Sequence, residues 1–319
     1  MPLQDTQPNP ALRTILVTGS SGTIGTALCE AMLDRGLNLV GVDKAPNRWS
    51  PRVQSKTVIR DLTEPIPVGA MPRDVDLIVH LAANARVFLS VKNPQLAAEN
   101  VLQTINILEY ARQSGVNRFL YASSREIYGH QTNSFVGETQ ARLDGAESPY
   151  TASKVTGEAF AAAYRYSYGI ANVIVRFSNV YGKFDDSERL VPCFIREISK
   201  EQPLTIFGAE KTYDFTFIDD AVRGTLAIID RFDSVVGEAF NLATGRGNKL
   251  LDVAQRLQAI LGKQTAITFS ENRTGELMYY VADISKARRL LGYEPRVALE
   301  DGLPLAVEWY KEYVDGRIK

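Results

Sequence analysis

Thr18-Gly19-Ser20-Ser21-Gly22-Thr23-Ile24-Gly25 decides the fold, because it joins an apolar run, Thr14 to Thr18, to a stretch of helical spacing that continues through Leu33. Glycine permits a tight turn and lets backbone amides approach a pyrophosphate, while a helix starting at once aims its positive end at the same point. Glycines alone mark only a strand-to-helix joint. The next apolar run, Leu37 to Val42, closes on Asp43. An acidic side chain there accepts from the adenosine ribose hydroxyls and repels a 2′-phosphate, which favours NAD over NADP. Lys44 and Arg48 pull weakly the other way. Gly19, Ser21, Gly22, Thr23, Ile24, Gly25 and Asp43 are therefore candidate cofactor residues.

Outward from this turn, apolar runs recur at Thr57 to Arg60, Asp76 to Leu81, Arg118 to Ala122 and Asn172 to Phe177. Each is too short for a helix and reads as a buried strand. Between them lie helical stretches, the clearest from Pro94 to Ser114 with Ala97, Val101, Ile105, Leu108 and Ala111 on one side. Alternation of this kind predicts an α/β fold, a Rossmann-like doubly wound parallel sheet. After Phe177 the alternation breaks, and Tyr181 to Asp219, with Pro192, Pro203 and Gly208, reads as loop-rich. Further helices are expected at Asp219 to Arg231, Leu250 to Leu261, Ile284 to Leu291 and Gly302 to Asp315. The division that follows is a disordered lead-in over 1–12, a dinucleotide-binding domain over 13–178, and a smaller C-terminal substrate-binding lobe over 179–319 that returns some segments to the first.

Lysine and arginine number 36 against 37 acidic residues, so no net field draws the 319-residue chain to nucleic acid or an anionic membrane. Cys29 and Cys193 are too few for a disulfide framework or a metal knuckle, and a reducing cytoplasm with no metal site is the expectation. No apolar run approaches the roughly 20 residues of a membrane span, and the N-terminus lacks the apolar core of a secretory signal.

Tyr150-Thr151-Ala152-Ser153-Lys154 opens a helix running toward Tyr168. Residues four apart share a helical face, which sets an ammonium beside a phenol. A neighbouring cation is expected to stabilise the phenolate and make it a usable base near neutral pH. Such a pair is commonplace on amphipathic helices, but here it follows a dinucleotide turn and a serine-bearing strand end, Tyr121-Ala122-Ser123-Ser124. His80, closing an apolar strand, reads as a packed core residue rather than a base. Asp61-Leu62 follows another strand, where the carboxylate either accepts from an adenine amino group or caps a helix.

The glycine spacing resembles that of the short-chain dehydrogenases. Ser123-Ser124-Arg125-Glu126-Ile127-Tyr128-Gly129 is similar to the signature of their extended, NAD-dependent branch, the nucleotide-sugar epimerases, dehydratases and decarboxylases. The resemblance runs from about Ile15 to Leu303. It implies Ser124, Tyr150 and Lys154 as catalytic residues, and the Leu81-Ala82-Ala83 segment beneath the nicotinamide and its ribose. It also implies sugar-diphosphate contacts from Asn179, in Arg176-Phe177-Ser178-Asn179-Val180-Tyr181-Gly182, and from Arg273, with Val191 and Leu204 to Gly208 enclosing the base. A homodimer through the 94–114 and 150–168 helices is implied as well.

Two departures matter. Arg125 stands where dehydratases carry the aspartate that expels a hydroxyl, so dehydration is not expected. Tyr213 stands where many relatives carry a second diphosphate-binding arginine, for which Lys211 is a possible substitute. Glu126 is a further candidate catalytic residue, one that uridine diphosphate glucuronate decarboxylases keep and that would assist loss of carbon dioxide, or else a loop-bonding glutamate. Arg86 either pairs with a sugar carboxylate or forms a surface salt bridge. The leading expectation is a 4-epimerase of a uridine diphosphate sugar acting through a 4-keto sugar, with the decarboxylase as alternative. An ordinary alcohol dehydrogenase has no evident need for Arg273, and a catalytically dead sensor has no reason to retain both Tyr150 and Lys154.

Overall fold

The structure is a computed structural model describing residues 12–67, 69–72, 74–130 and 135–313. Its first half alternates β1 (Thr14–Thr18), α1 (Thr23–Asp34), β2 (Asn38–Asp43), α2 (Pro51–Gln54), β3 (Thr57–Ile59), β4 (Leu77–His80), α3 (Val87–Lys92), α4 (Gln95–Ser114), β5 (Arg118–Ser124), α5 (Pro149–Tyr168) and β6 (Ala171–Phe177). The second half adds β7 (Asn179–Tyr181), α6 (Leu190–Ser199), β8 (Leu204–Phe207), β9 (Thr212–Phe217), α7 (Ile218–Asp230), β10 (Ala239–Leu242), β11 (Gly247–Lys249), α8 (Leu250–Leu261), β12 (Ile267–Ser270), β13 (Tyr279–Tyr280), α9 (Ser285–Leu291) and α10 (Leu299–Tyr313).

Seven strands form one parallel sheet in the order β10-β6-β5-β4-β1-β2-β3. Side chains alternate across it. Ile15, Val17, Leu77, Val79 and Leu120 pack with α1 and α7 on one face. Leu16, Ile78, Phe119 and Tyr121 pack with α4 and α5 on the other. This is the expected Rossmann-like doubly wound sheet. Its strand order reverses between β1 and β4, and ligands bind outside the carboxyl ends of the strands at such a point. Thr18, Asp43, His80, Ser124 and Phe177 all end strands at that edge.

Two local start signals aim α5 at the same edge. Ser148 Oγ accepts from the Thr151 amide at 3.1 Å, and Pro149 occupies the first turn, where its missing N–H is not needed. Tyr150 thus emerges beside Ser124.

The stretch expected to be loop-rich, Tyr181 to Asp219, instead holds α6, β8 and β9. Pro192 sits in the first turn of α6, where backbone amides have no intrahelical partner. Pro203 precedes β8 and Gly208 follows it, so these residues punctuate elements rather than dissolve them. In β9 the buried polar residues Asp214 and Thr216 hide the strand's hydropathy. The pairings are β11-β9-β13 with β7 on β9, and β12 with β8. The expected lead-in lies outside the described residues except for Leu12, which is 3% exposed and part of the core. Among the described residues no helix is long and apolar enough to cross a membrane.

Candidate active site

A cleft of about 870 Å³ runs along the carboxyl edge of the sheet and continues between β5 and the second-half elements. Nearly all the site candidates from the sequence line it, Leu204 and Gly208 excepted: the turn residues Gly19 to Gly25 save Ser20, then Asp43, Asp61 and Leu62, then Leu81, Ala82, Ala83 and Arg86. Ser124, Glu126, Tyr150, Lys154, Asn179, Val191 and Arg273 complete the set.

At the turn, Gly19 has φ +72°, and a Cβ there would meet the Ala82 amide nitrogen at 2.8 Å. A Cβ on Gly25 would lie 1.9 Å from the Gly19 carbonyl oxygen. No side chain caps the N-terminus of α1, which opens into the cleft. The Asp43 carboxylate is held by the Ser21 amide and the Ala45 amide, each at 3.0 Å. A carboxylate has lone pairs beyond these two. Thr23 Oγ1 donates to the Phe184 carbonyl at 3.0 Å, tying the turn to the segment that crosses above it. Arg48 is paired with Asp186 and lies 4.4 Å from the Trp49 ring. Asp61 Oδ1 accepts from both the amide and hydroxyl of Thr63, at 2.9 and 2.8 Å, and these bonds hold its carboxyl below the usual range. It therefore closes a turn while facing the cleft, and no helix begins there.

His80 is buried with a threonine hydroxyl on each ring nitrogen, Thr18 at 2.7 Å and Thr104 at 3.2 Å. Burial, aided by the Lys154 charge, pushes it down to about 3, which suits the packed role.

Lys154 Nζ donates to the Ala122 carbonyl at 2.8 Å and lies 5.9 Å from the Tyr150 ring centre. Burial lowers it to about 8, against the opposing charge of Glu158. Burial also raises the Tyr150 phenol, partly offset by a hydrogen bond with Ser124 and by Arg189 and Arg125, while Glu126 adds to the rise. The expected lowering by a neighbouring cation is thus not what the protein alone provides. Desolvation outweighs every lowering influence on the phenol, and Lys154 is directed at a backbone carbonyl.

On the opposite side, the Arg273 guanidinium lies 3.9 Å from the Phe207 ring centre and 4.6 Å from that of Phe88. Among the described residues Asn179 Nδ2 is buried without a partner. Val191, in the first turn of α6, is buried against this wall. Arg86 Nη2 meets the Glu188 carbonyl at 3.2 Å and its carboxylate at 3.4 Å, the surface-pair arrangement, at the cleft rim. Lys211 is bonded to Glu276 at 2.6 Å.

A model of the NAD-dependent epimerase/dehydratase family matches residues 15–243. The chain belongs to that family. The family is NAD-dependent, and the glycine cradle, the open α1 terminus and the anchored Asp43 of this epimerase/dehydratase chain fit a dinucleotide. It is 32% identical to an uncharacterized UDP-glucose epimerase, YtcB, of Bacillus subtilis over 95% of this chain and 99% of that protein. It is 30% identical to a UDP-glucuronate 4-epimerase of Thermodesulfobacterium geofontis, covering 94% and 97%. The crystal structure of a Bacillus cereus UDP-glucuronic acid 4-epimerase, in complex with UDP-glucuronic acid and NAD, is similar with TM-score 0.86 and 30% identity, over 94% of this chain and 99% of that one.

Other motif residues of this family member do structural work. Arg176 grips Glu158 through two bonds of 3.0 and 2.8 Å and donates to the Tyr128 hydroxyl at 3.1 Å. Asp214 collects the Thr244 and Gly245 amides and the Thr244 hydroxyl. Arg125 also lines the cleft, a role the sequence does not announce, because the missing aspartate at 125 and the tyrosine at 213 stand far apart along the chain. In the fold the two meet, with the Arg125 guanidinium 3.9 Å above the Tyr213 ring centre.

Proposed function

We propose that this chain is a nucleotide-sugar 4-epimerase that takes a uridine diphosphate sugar through a transient 4-keto form. The observation that carries the reading is the convergence of Ser124, Tyr150 and Lys154 on one cleft whose far wall presents Asn179 and Arg273. The relatives described as UDP-glucose and UDP-glucuronate 4-epimerases support it.

Arg273, held between two aromatic rings, is suited to grip the diphosphate through charge-assisted bonds, and the unpartnered Asn179 amide adds a donor. Ser124 and Tyr150 hold the sugar 4-hydroxyl, and Tyr150 takes its proton and later returns it. Lys154, fixed by the Ala122 carbonyl, orients the reacting end of the cleft. NAD, when bound, supplies the hydride acceptor and then the hydride donor.

The test is to incubate the purified protein with uridine diphosphate glucose, N-acetylglucosamine and glucuronate, without added NAD, and to follow products by NMR. The expected product is a 4-epimer with no net cofactor consumption. A pentose with released carbon dioxide identifies decarboxylation instead, and stoichiometric reduced cofactor identifies an ordinary dehydrogenase. Tyr150→Phe is expected to lose about 10²- to 10⁴-fold in turnover while still binding NAD; near-normal turnover removes the catalytic assignment.

The same reading includes a homodimer through α4 and α5, supported by exposed Leu102, Tyr166 and Tyr168 on those helices. Sedimentation at micromolar concentration is expected to give a dimer, and a monomer contradicts it. The free thiols of Cys29 and Cys193 suit a cytoplasmic setting.

A further inference from the structure

We infer that Arg125 and Glu126 form a charge-balanced ledge beside the reacting carbon, which selects a sugar bearing a neutral hydroxymethyl group over the corresponding uronate. The inference rests on the epimerase reading and names the substrate class within it.

Position comes first. Ser124 ends β5, and the next two residues open the short turn Arg125–Tyr128, both lining the cleft. The Glu126 amide donates to Ser124 Oγ at 3.2 Å, so the turn stands beside whatever that hydroxyl holds. A sugar whose 4-hydroxyl lies on Ser124 and Tyr150 brings a substituent of a neighbouring carbon to this ledge.

The ledge is also built rather than incidental. Arg125 is 7% exposed and Glu126 6%, and Arg125 Nη2 meets Glu126 Oε1 at 2.9 Å. The guanidinium plane is fixed by Tyr213 beneath it and by Tyr280, 5.7 Å from its centre. Tyr213 is itself pinned, since its hydroxyl donates to the Leu277 carbonyl. After these bonds one donor and one acceptor remain buried without partners among the described residues, Arg125 Nη1 and Glu126 Oε2. Buried polar atoms in folded proteins rarely stay unpaired, so this pair describes the group it awaits. A hydroxyl both accepts and donates and satisfies the two atoms at once.

A carboxylate accepts only. It can use Nη1 but sets a second anion against Oε2, in a place where the Arg125 charge is already matched by Glu126 and the nearby Lys211 charge by Glu276. Burying an unmatched charge is costly, and like-charge contact is a common means of rejecting a wrong ligand. A methyl group at the same carbon leaves both atoms unpaired.

The decisive experiment compares kcat/KM for the uridine diphosphate hexose, the matching uronate and the matching 6-deoxy sugar. The hexose is expected to exceed the uronate by about a hundredfold and the 6-deoxy sugar by roughly tenfold to a hundredfold. Glu126→Gln keeps a polar side chain but releases the guanidinium charge, and is expected to narrow the hexose-to-uronate ratio by about tenfold or more, chiefly through a lower KM for the uronate. Wild-type protein that turns over the uronate as well as the hexose overturns the ledge while leaving epimerisation intact. A ratio unmoved by Glu126→Gln in folded protein does the same. Turnover of no nucleotide sugar removes the epimerase reading and the ledge together.

Discussion

Histidine 80 shows how a titratable residue at an active-site edge can be wholly structural. Thr104 donates to the Asn100 carbonyl at 2.9 Å, so its oxygen accepts from the ring Nε2–H, which leaves Nδ1 to accept from Thr18. The Thr18 oxygen in turn accepts from the Ala82 amide at 3.2 Å, in the segment that borders the cofactor end of the cleft. His80→Leu strands these hydroxyls and is expected to cost about 1–3 kcal/mol at pH 7 with little change in the pH profile of turnover. The unfolded ring protonates near 6.5 and the folded one only near 3, so the unfolded state binds more protons between these values. The contribution of His80 is therefore complete above pH 6.5 and lost as pH falls toward 3. Urea denaturation should show the gap between the two proteins shrinking as pH falls below 6; a gap independent of pH refutes the depressed titration. Residues such as Tyr150, Lys154 and Gly19 were legible because their spacing along one element is their geometry. Arg125 was not, because its meaning lies in Tyr213, a residue of β9 that only the folded chain brings under it.

Elements carried most of the legible fold. In a parallel sheet every strand delivers its carboxyl end to one edge, so short apolar runs followed by Gly19, Asp43, Leu81 and Ser124 already placed those residues side by side. The turn into α1 is the least tolerant of these junctions. Gly25→Ala puts a methyl 1.9 Å from the Gly19 carbonyl and forces the backbone apart. Calorimetric titration with NAD is expected to show affinity reduced more than tenfold in protein that still folds, and an unchanged Kd would falsify the cradle as drawn. The second-half elements were harder to read. Pro192 looked like a helix breaker but lies where α6 has no use for its amide, and β9 buries Asp214 against backbone amides, so hydropathy alone does not reveal a strand.

Across the whole molecule, the two halves are bound by contacts between distant segments. Arg35, just past α1, pairs with Asp230 at the end of α7 through contacts of 3.1 to 3.2 Å, with side chains 6% and 4% exposed. Asp230→Ala removes this carboxylate from a buried guanidinium and is expected to destabilise by about 1.5–3 kcal/mol, read as a lower Tm. A shift within error of zero shows the pair to be dispensable. Such coupling was invisible along the chain, since nothing in either local pattern names its partner.

The seventh strand, β10, extends the same interdependence into time. Residues 239–242 pair with β6, which is complete by Phe177. A ribosome making this protein must therefore add some sixty residues after β6 before that edge can be closed, a few seconds or more at ordinary elongation rates. During that interval β6 offers a bare row of amides and carbonyls on which a neighbouring nascent chain could pair, an edge that β10 later covers.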